Sequence, residues 1–416
     1  MKFSVVVAVT VLQCVGQVLP AIGILLTGRY HRRYCKYLNS MKGTLLTVEA
    51  QNISSTIKKF INSLLERNVF DAVLAPVRIP SGESFAYLLM RDKAVLEQCE
   101  PAPPIMPIQG ARVLKQLTRR GELNVKVLSI MRPCEIRASI ELAKLQQVHL
   151  KNITFLSFDC PGAFSTSDYI NEPDMYDVSF QKALKAFTAK DFRACCTTCV
   201  NFSSGNTPTD LHIAHLGVPD DKLMVIPTSS RGEACLQAAQ LSLTEDISNW
   251  QEQCKVSHQR RQENREKDFV ELRQRAAGIV NLDAYFSDCI NCHNCMRVCP
   301  ICYCRQCFFD SRDTVRIEAD NYLIRARKKG GITFPTDTIL FHLGRMSHMS
   351  LSCVGCGACE DACPMDVPVG QVFNFIGDKI QKMFEYVPGR DVEESIPVLT
   401  YSEDELHEFE DARDVS

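Results

Sequence analysis

The sequence lacks an excess of charge of either sign, since its 416 residues carry a formal net charge of −2. Proteins that bind nucleic acids usually present a basic surface, so this balance argues against a nucleic-acid partner. The G-x-G-x-x-G fingerprint of dinucleotide-binding folds is also missing, so no cofactor can be assigned from that motif. With 45% hydrophobic residues the chain is still able to bury a core, and its length allows two or three domains.

Cysteine, by contrast, is abundant, because the chain contains 21 of them and most fall in C-x-x-C spacings. In a chain of this length, clustered cysteines indicate metal ligation in a reducing compartment rather than a disulfide framework. We therefore expect metal sites and a cytoplasmic location.

Two runs of the bacterial C-x2-C-x2-C-x3-C-P type lie in the C-terminal half of the chain. Such a run binds 4Fe–4S clusters, and its fourth cysteine ligates the cluster of the other run. The first predicted cluster set is Cys289, Cys292, Cys295 and Cys363. The second cluster set is Cys353, Cys356, Cys359 and Cys299. A pair of zinc knuckles is the alternative, but two complete runs of one type favour clusters.

Three further cysteines, Cys302, Cys304 and Cys307 in ICYCRQC, are not needed for either cluster. One interpretation is an additional metal site, such as zinc with a fourth ligand from elsewhere in the chain. The other is that they line the cluster pocket as small apolar thiols. The sequence leaves both interpretations open.

The order of predicted elements indicates an α/β domain followed by a mainly helical one. Residues 41–240 alternate β-rich segments (DAVLAPVRI, AYLLM, VKVLSIM, ITFLSFDC, LMVIPT) with helix-like ones (VEAQNISSTIKKF, GARVLKQL, CEIRASIELAK). Residues 241–280 form a charged linker, predicted to be an exposed helix without a role in chemistry. Residues 281–390 resemble the helical dicluster domains of heterodisulfide-reductase and succinate-dehydrogenase type subunits. The acidic tail, residues 391–416, is expected to be disordered or to dock.

The first 40 residues contain an apolar run, residues 3–28, followed by the basic segment RYHRRYCK. The run is long enough to span a bilayer, with the following domain in the cytoplasm. A cleaved signal peptide is a second interpretation, but oxygen-sensitive clusters are rarely exported unfolded. The third interpretation, which we favour, is that translation starts at Met41, where MKGTLLTVEA is similar to an ordinary cytosolic start.

Another group of cysteines lies at strand ends and loops of the predicted α/β domain. It comprises Cys134 in MRPCEIRA, Cys160 in FDCPG, and Cys195, Cys196 and Cys199 in CCTTCVNF. Four thiolates from three loops would suit a third 4Fe–4S cluster. The alternative is that these are simply buried side chains, and their spacing alone does not decide.

The segments RPCEIRA, FDCPG and CTTCVNF, with TDLHIAHLG after them, resemble the coenzyme F-420 hydrogenase/dehydrogenase beta-subunit family. With the C-terminal motifs, the resemblance is closest to the formate dehydrogenase beta-subunit branch. It implies FAD and one 4Fe–4S cluster in residues 41–240. The implied ligands, here the third cluster set, are Cys134, Cys160, Cys196 and Cys199. Cys195 is then a neighbour, or the ligand in place of Cys196.

The chain departs from the family pattern at two places. Met131 and Arg132 stand where many members have Gly-Thr, and Ala214 replaces the first glycine of the late motif, although Gly217 is kept. Arg132 and Arg137 flank Cys134 and are predicted to offset negative charge on a reduced flavin or a phosphate group. Surface salt bridges are an equally common use of such arginines.

These features predict an oxidoreductase subunit that passes electrons between a soluble two-electron carrier, such as deazaflavin F-420, and a catalytic partner. The chain shows no molybdopterin, nickel or heterodisulfide site, and no catalytic residue is identified. The primary chemistry is therefore expected on a formate dehydrogenase, hydrogenase or heterodisulfide-reductase-like subunit. The alternatives are a flavin-free, polyferredoxin-type electron-transfer subunit of a heterodisulfide-reductase-like complex, and a sensor whose metals are structural.

Overall fold

The computed structural model describes residues 41–48, 52–188, 191–304, 307, 309 and 338–399. Within these residues, eight strands form one sheet of order β3-β2-β4-β5-β6-β7-β1-β8. The strands are β1 Lys42–Thr47, β2 Ala72–Arg78, β3 Phe85–Met90, β4 Val127–Ile130, β5 Ile153–Phe158, β6 Leu211–Ala214, β7 Lys222–Pro227 and β8 Glu245–Asp246. The expected α/β fold is confirmed, and all five predicted strands are present.

The centre of the sheet is parallel, and its edges are antiparallel. Strands β2, β4, β5 and β6 run in one direction, with Val127 of β4 opposite Ile153 of β5. Every residue of β4 and β5 is buried, which is typical of parallel strands covered on both faces. The carboxyl ends of these strands therefore meet at one edge, where α/β folds usually place ligands.

The described residues also form fourteen α-helices. They are α1 Ile53–Glu66, α2 Lys93–Leu96, α3 Gly110–Leu117, α4 Pro133–Lys144, α5 Thr166–Asn171, α6 Pro173–Ala186, α7 Ala194–Thr197, α8 Ser230–Ala238, α9 Ser248–Ala276, α10 Gly278–Tyr285, α11 Asn294–Val298, α12 Thr338–Met349, α13 Ala358–Asp361 and α14 Val369–Met383. Short 3-10 turns lie at Ser204–Asn206 and Pro397–Leu399. The three helices predicted in the α/β part are confirmed as α1, α3 and α4.

The two faces of the sheet are covered by different parts of the chain, because successive strand residues point to opposite sides. Helices α1 and α6 pack on one face, against Val73 and Leu128. On the other face, Leu74 and Val127 share a core with α3, α4 and the C-terminal helices, including Phe373 of α14. The cysteine-rich part therefore packs on the α/β part through a continuous apolar core.

The predictions for the linker, for the N-terminal segment and for the acidic tail have different outcomes. The linker helix is present as α9, but Trp250, Ser257, Arg261 and Leu272 are buried, so one of its faces packs against the protein. Residues 1–40 and most of the tail lie outside the described residues, so the expectations for them stay predictions. Among the residues that are described, no helix is long and apolar enough to cross a membrane.

Helix α4 connects the two parts of the protein. The buried carboxylate of Glu141 accepts hydrogen bonds from Tyr386 and from the backbone N–H of Gly389, the latter at 2.6 Å. Lys144 donates to the Tyr386 hydroxyl at 3.0 Å, and Arg137 donates to the carbonyl of Pro388 at 2.8 Å. We call residues 386–394, which make these contacts, the C-terminal strap.

Gly389 is required where the C-terminal strap crosses α4. Its φ of +70° is left-handed, and a Cβ atom there would overlap the carbonyl oxygen of Arg137. Gly389→Ala should lower the thermal midpoint of the cluster-loaded protein, because it combines a backbone cost of about 1–2 kcal/mol with that overlap. Gly82→Ala is the matched control, since Gly82 also has a left-handed φ, of +84°, but has open space around its Cβ position. Equal midpoints for the two variants would contradict the close approach.

Candidate metal centres

The loop after β4 and the loop after β5 place two cysteines side by side. Strand β4 ends at Ile130, and Pro133 begins α4. Proline suits this first position because it has no backbone N–H, and an N–H there would find no acceptor within the helix. Glu135 in the first turn of α4 accepts from the backbone N–H of Arg132 at 2.8 Å, which fixes the start of the helix. Cys134 is thus held at the carboxyl edge of the sheet, next to Cys160 after the parallel strand β5.

A third loop brings the remaining cysteines of this region to the same place. Phe192 forms a bridge with Phe164, and the N–H of Cys160 donates to the carbonyl of Phe202 at 2.8 Å. These contacts lay residues 193–202 along the Cys160 loop. The resulting cavity, the thiol pocket, is lined by the cysteines Cys134, Cys160, Cys195, Cys196, Cys199 and Cys356 and by Arg132, Arg193 and Arg261. All four members of the third cluster set line one pocket.

Cys195 and Cys196 differ in their surroundings, although their sulfur atoms are only 3.9 Å apart. A hydrogen bond from the Cys195 thiol lowers the pKa of Cys196 well below its usual value, and Arg193 and Arg132 reinforce this effect. The same hydrogen bond, together with burial, raises the pKa of Cys195. Cys195 packs against Gly357, where a Cβ atom would overlap its sulfur. Arg193 Nη2 lies 3.8 Å from the sulfur of Cys196, and the choice between Cys195 and Cys196 as ligand stays a prediction.

The two arginines predicted to bind a cofactor lie in different places. Arg132 is buried and donates from Nη1 to Cys160 Sγ at 3.0 Å and to the carbonyl of Gly162 at 2.8 Å. Arg137 is also buried, but it donates to the carbonyls of Pro388 and Val354, the latter at 3.4 Å. Only Arg132 lines the thiol pocket, whereas Arg137 faces the second cysteine run and the C-terminal strap.

Asp159, next to Cys160, organises the loops behind the thiol pocket. One carboxylate oxygen accepts from Ser203 at 2.6 Å and lies 2.9 Å from Nε2 of His212, and the other accepts from Trp250 at 3.0 Å. Burial alone would raise the pKa of Asp159, but the charge and hydrogen bond of His212 outweigh it and hold this pKa below its usual value. The only sequence signal for this role is the position of Asp159 beside a cysteine, since its partners are distant in sequence.

Helix α9 supplies two residues that the sequence analysis missed. Arg261 donates to the carbonyls of Cys199 at 3.2 Å and Pro161 at 2.8 Å, and so holds two of the cysteine loops together. One turn further along, Arg265 donates to the carbonyl of Thr198 and pairs with Asp378 of α14 at 3.0 Å. The prediction that this helix has no part in the site was therefore incomplete. Their four-residue spacing is a signal, but the surrounding charge run hides it.

The two ferredoxin-type runs come together, and the fourth cysteine of each lies near the other run. Burial raises the pKa of Cys289 and Cys295, and the nearby thiol of Cys363, from the second run, adds to both shifts. In the same way, burial and the charge of Cys299, from the first run, raise the pKa of Cys353 to about 11. Members of the first cluster set thus lie near one another, and so do those of the second cluster set.

A buried arginine lies beside the two ferredoxin-type runs. Arg345 is buried between the runs without a carboxylate partner among the described residues. An unpaired buried cation is costly, and an anionic cluster beside it would supply the missing charge.

Comparison with known proteins points to one group. Residues 285–367 match the family model of the 4Fe-4S dicluster domain. The F420-dependent formate dehydrogenase subunit beta of Methanocaldococcus jannaschii is 25% identical over 312 residues, covering 66% of this chain and 76% of the relative. The F420-dependent formate dehydrogenase 1 subunit beta of Methanococcus maripaludis is 26% identical over 340 residues, covering 70% and 79%. The predicted resemblance to these beta subunits is confirmed.

One solved structure also aligns with this chain. A chain of the F420-reducing [NiFe] hydrogenase complex from Methanosarcina barkeri aligns with a TM-score of 0.43 and 11% identity, covering 59% of this chain and 96% of that chain.

The three further cysteines after the first run, Cys302, Cys304 and Cys307, lie in different surroundings from one another. Cys302 donates a hydrogen bond that lowers the pKa of Cys299 to about 6, while the Cys307 sulfur lies 3.6 Å from the sulfur of Met296. Cys304 is exposed. These positions support the pocket-lining interpretation for Cys302, and the zinc site stays a prediction.

An apolar cavity lies next to the thiol pocket, on the side of the edge strand β3. Phe85, Tyr87, Ile105, Met106 and Ile108 line it, and Arg132 lines both this apolar pocket and the thiol pocket. Besides this cation, the carboxylate of Glu135 lines the cavity. An apolar wall with an aromatic ring is of the kind that holds a planar ring system, and a flavin at this place stays a prediction.

Proposed function

We propose that the chain is the iron–sulfur flavoprotein subunit of an oxidoreductase, of the formate dehydrogenase or hydrogenase beta-subunit type. It passes electrons between a two-electron carrier, deazaflavin F-420 or a similar molecule, and a catalytic partner subunit, via FAD and three 4Fe–4S clusters. The observation that carries this proposal is that Cys134, Cys160, Cys196 and Cys199 line one pocket whose wall includes Cys356 of the second cluster set.

In this proposal, the three cluster sets form a continuous row. The third cluster set lies beside the second because Arg193 lies 3.8 Å from Cys196 Sγ and donates to the carbonyl of Cys356 at 3.3 Å. The second set lies beside the first, because the short helix α11 has Cys295 of the first set near its start and Cys299 of the second set at its end. These contacts support the order third, second, first for the three proposed clusters.

The apolar pocket is the proposed flavin site, at the start of this row. When bound, a flavin exchanges electron pairs with a carrier and single electrons with clusters, which is the conversion that the subunit requires. Arg132 holds a positive charge between the apolar pocket and Cys160, where it offsets negative charge on either side. Glu135 anchors the base of this pocket by accepting from Tyr87 at 2.9 Å and from the N–H of Gly110 at 2.7 Å.

Cofactor analysis of the full chain, purified or reconstituted without oxygen, tests the proposal. About twelve iron and twelve sulfide atoms per chain are expected from three clusters, with one flavin released on acid precipitation. Zinc, measured in the same sample, tests the site at Cys302, Cys304 and Cys307.

Each other result selects a different function. An iron content of about eight atoms per chain would show that the third cluster is absent. Three clusters without flavin would identify a flavin-free electron-transfer subunit, and zinc without sulfide would identify a protein whose metals are structural.

A further inference from the structure

Buried arginines lie at both junctions in the row of cysteine sets, and two of them, Arg345 and Arg193, contact a cysteine sulfur and a backbone carbonyl of the cysteine loops. Arg345 of α12 lies between the first and second cluster sets, and it is 2% exposed. Arg193 lies between the second and third cluster sets, and its side chain is 7% exposed. Neither residue belongs to a cysteine motif, and the sequence analysis assigned neither a role.

Arg345 is held in place by aromatic rings and by the cysteine loop. Its guanidinium carbon lies 4.7 Å from the centre of the Phe373 ring and 5.5 Å from that of Phe341. It donates to Cys295 Sγ at 3.0 Å and to the Cys295 carbonyl at 3.1 Å. Its Nε atom is buried and has no hydrogen-bond acceptor among the described residues.

The charge of Arg345 reaches both cluster sets. It donates to Cys295 Sγ of the first set, and Cys299 of the second set follows four residues later, at the end of the same short helix α11. A cation that acts on both sets, without a carboxylate to neutralise it in the described structure, stabilises added negative charge on either one.

Arg193 occupies the equivalent position at the other junction. Its Nη2 atom lies 3.8 Å from Cys196 Sγ and donates to the carbonyl of Cys356 at 3.3 Å. Asp361 pairs with Nη1 at 3.6 Å, and its oxygens also accept from the backbone N–H and hydroxyl of Thr166, at 2.9 and 2.6 Å. Both Nε and Nη1 of Arg193 are buried without a hydrogen-bond acceptor among the described residues.

We propose that Arg345 and Arg193 are positioning residues that set the reduction potentials of neighbouring clusters in pairs. Arg345 raises the potentials of the first and second clusters, and Arg193 raises those of the second and third. The physical basis is that hydrogen bonds to ligand sulfur and nearby positive charge stabilise the reduced cluster, which carries one more electron. This inference rests on the three clusters of the proposed function.

Potentiometric titration followed by electron paramagnetic resonance tests the pairs in the full chain. In Arg345→Gln, the ratio of reduced to oxidised cluster at a fixed potential should fall about tenfold for the first and second clusters, and stay unchanged for the third. For a one-electron centre, a tenfold change corresponds to 59 mV. In Arg193→Gln, the second and third clusters should change, and the first should not.

Arg273→Gln is the matched control, because Arg273 is an exposed arginine of α9 and its charge is screened by water. It should leave all three potentials unchanged. Arg345→Lys keeps the charge but has fewer donors, so it should shift the same two clusters by a smaller amount. If Arg345→Gln loses iron, the lysine variant decides by the same pattern.

A shift confined to one cluster in either arginine variant would overturn the pairing, and so would unchanged potentials. These results differ from a failure of the proposed function itself. That failure would appear in the unmodified protein, as fewer than three cluster signals.

Discussion

Cys134→Ala should abolish electron transfer between the soluble carrier and the partner subunit while leaving reduction of the flavin by the carrier intact. Cys134 lies at the start of α4 and lines the thiol pocket together with Cys356 of the second cluster set, and Arg132, two residues earlier, lines both pockets. Without it, the third cluster loses one of four thiolates, and the row is interrupted at its first member. We expect a loss of at least about 100-fold in carrier-to-partner transfer, measured in the complex with a deazaflavin as electron donor.

Cys235→Ala is the control for that experiment. Cys235 is a buried cysteine of α8 that lies outside the thiol pocket, so its removal should leave electron transfer unchanged. Iron content of the variants separates the two effects, since only Cys134→Ala should lose about four iron atoms per chain. A Cys134→Ala protein that transfers electrons at the original rate would show that the order of centres is wrong.

Cys299→Ser should alter the cluster of Cys353, Cys356 and Cys359, although Cys299 belongs to the other run. The charge of Cys299 acts on all three of those thiols, raising the pKa of Cys356 to about 12 together with burial. Replacing a thiolate ligand with a hydroxyl should change the resonance spectrum of that cluster or cause its loss.

Cys363→Ser is the reciprocal variant, and it should affect the cluster of Cys289, Cys292 and Cys295 instead. The two spectra together make the test independent of how much cluster is lost in either protein. The exchanged assignment fails if Cys299→Ser changes the spectrum of the Cys289 cluster and leaves that of the Cys353 cluster as it was.

The sequence was most informative where chemistry fixes residue spacing. In each C-terminal run, two residues separate successive cysteines of the first three, and this is the spacing with which three cysteines wrap one cluster. The two runs could therefore be recognised without knowledge of the fold. The third cluster set has no such local spacing, because Cys134, Cys160 and Cys196 come from three separate loops. Parallel pairing of β4 with β5 brings two of those loops together, and the family resemblance was needed to select them.

The residues that the sequence did not reveal act through tertiary contacts. Arg345 resembles any other arginine of an amphipathic helix until Phe373 and Cys295 are placed around it. Arg261 lies in a charge run that would ordinarily face water, and only its packing against the Cys199 loop shows otherwise. Positions of this kind depend on which helix faces are buried, and charge patterning alone does not report that.

The double attachment of α4 has a mechanical consequence for the row of centres. Cys134 lies at the beginning of this helix, while Arg137, Glu141 and Lys144 bind the C-terminal strap along its length. A rotation of the cysteine-rich part would therefore also move helix α4, which carries Cys134 of the third cluster set. We therefore expect the distance between the proposed flavin site and the outermost proposed cluster to stay the same from one turnover to the next.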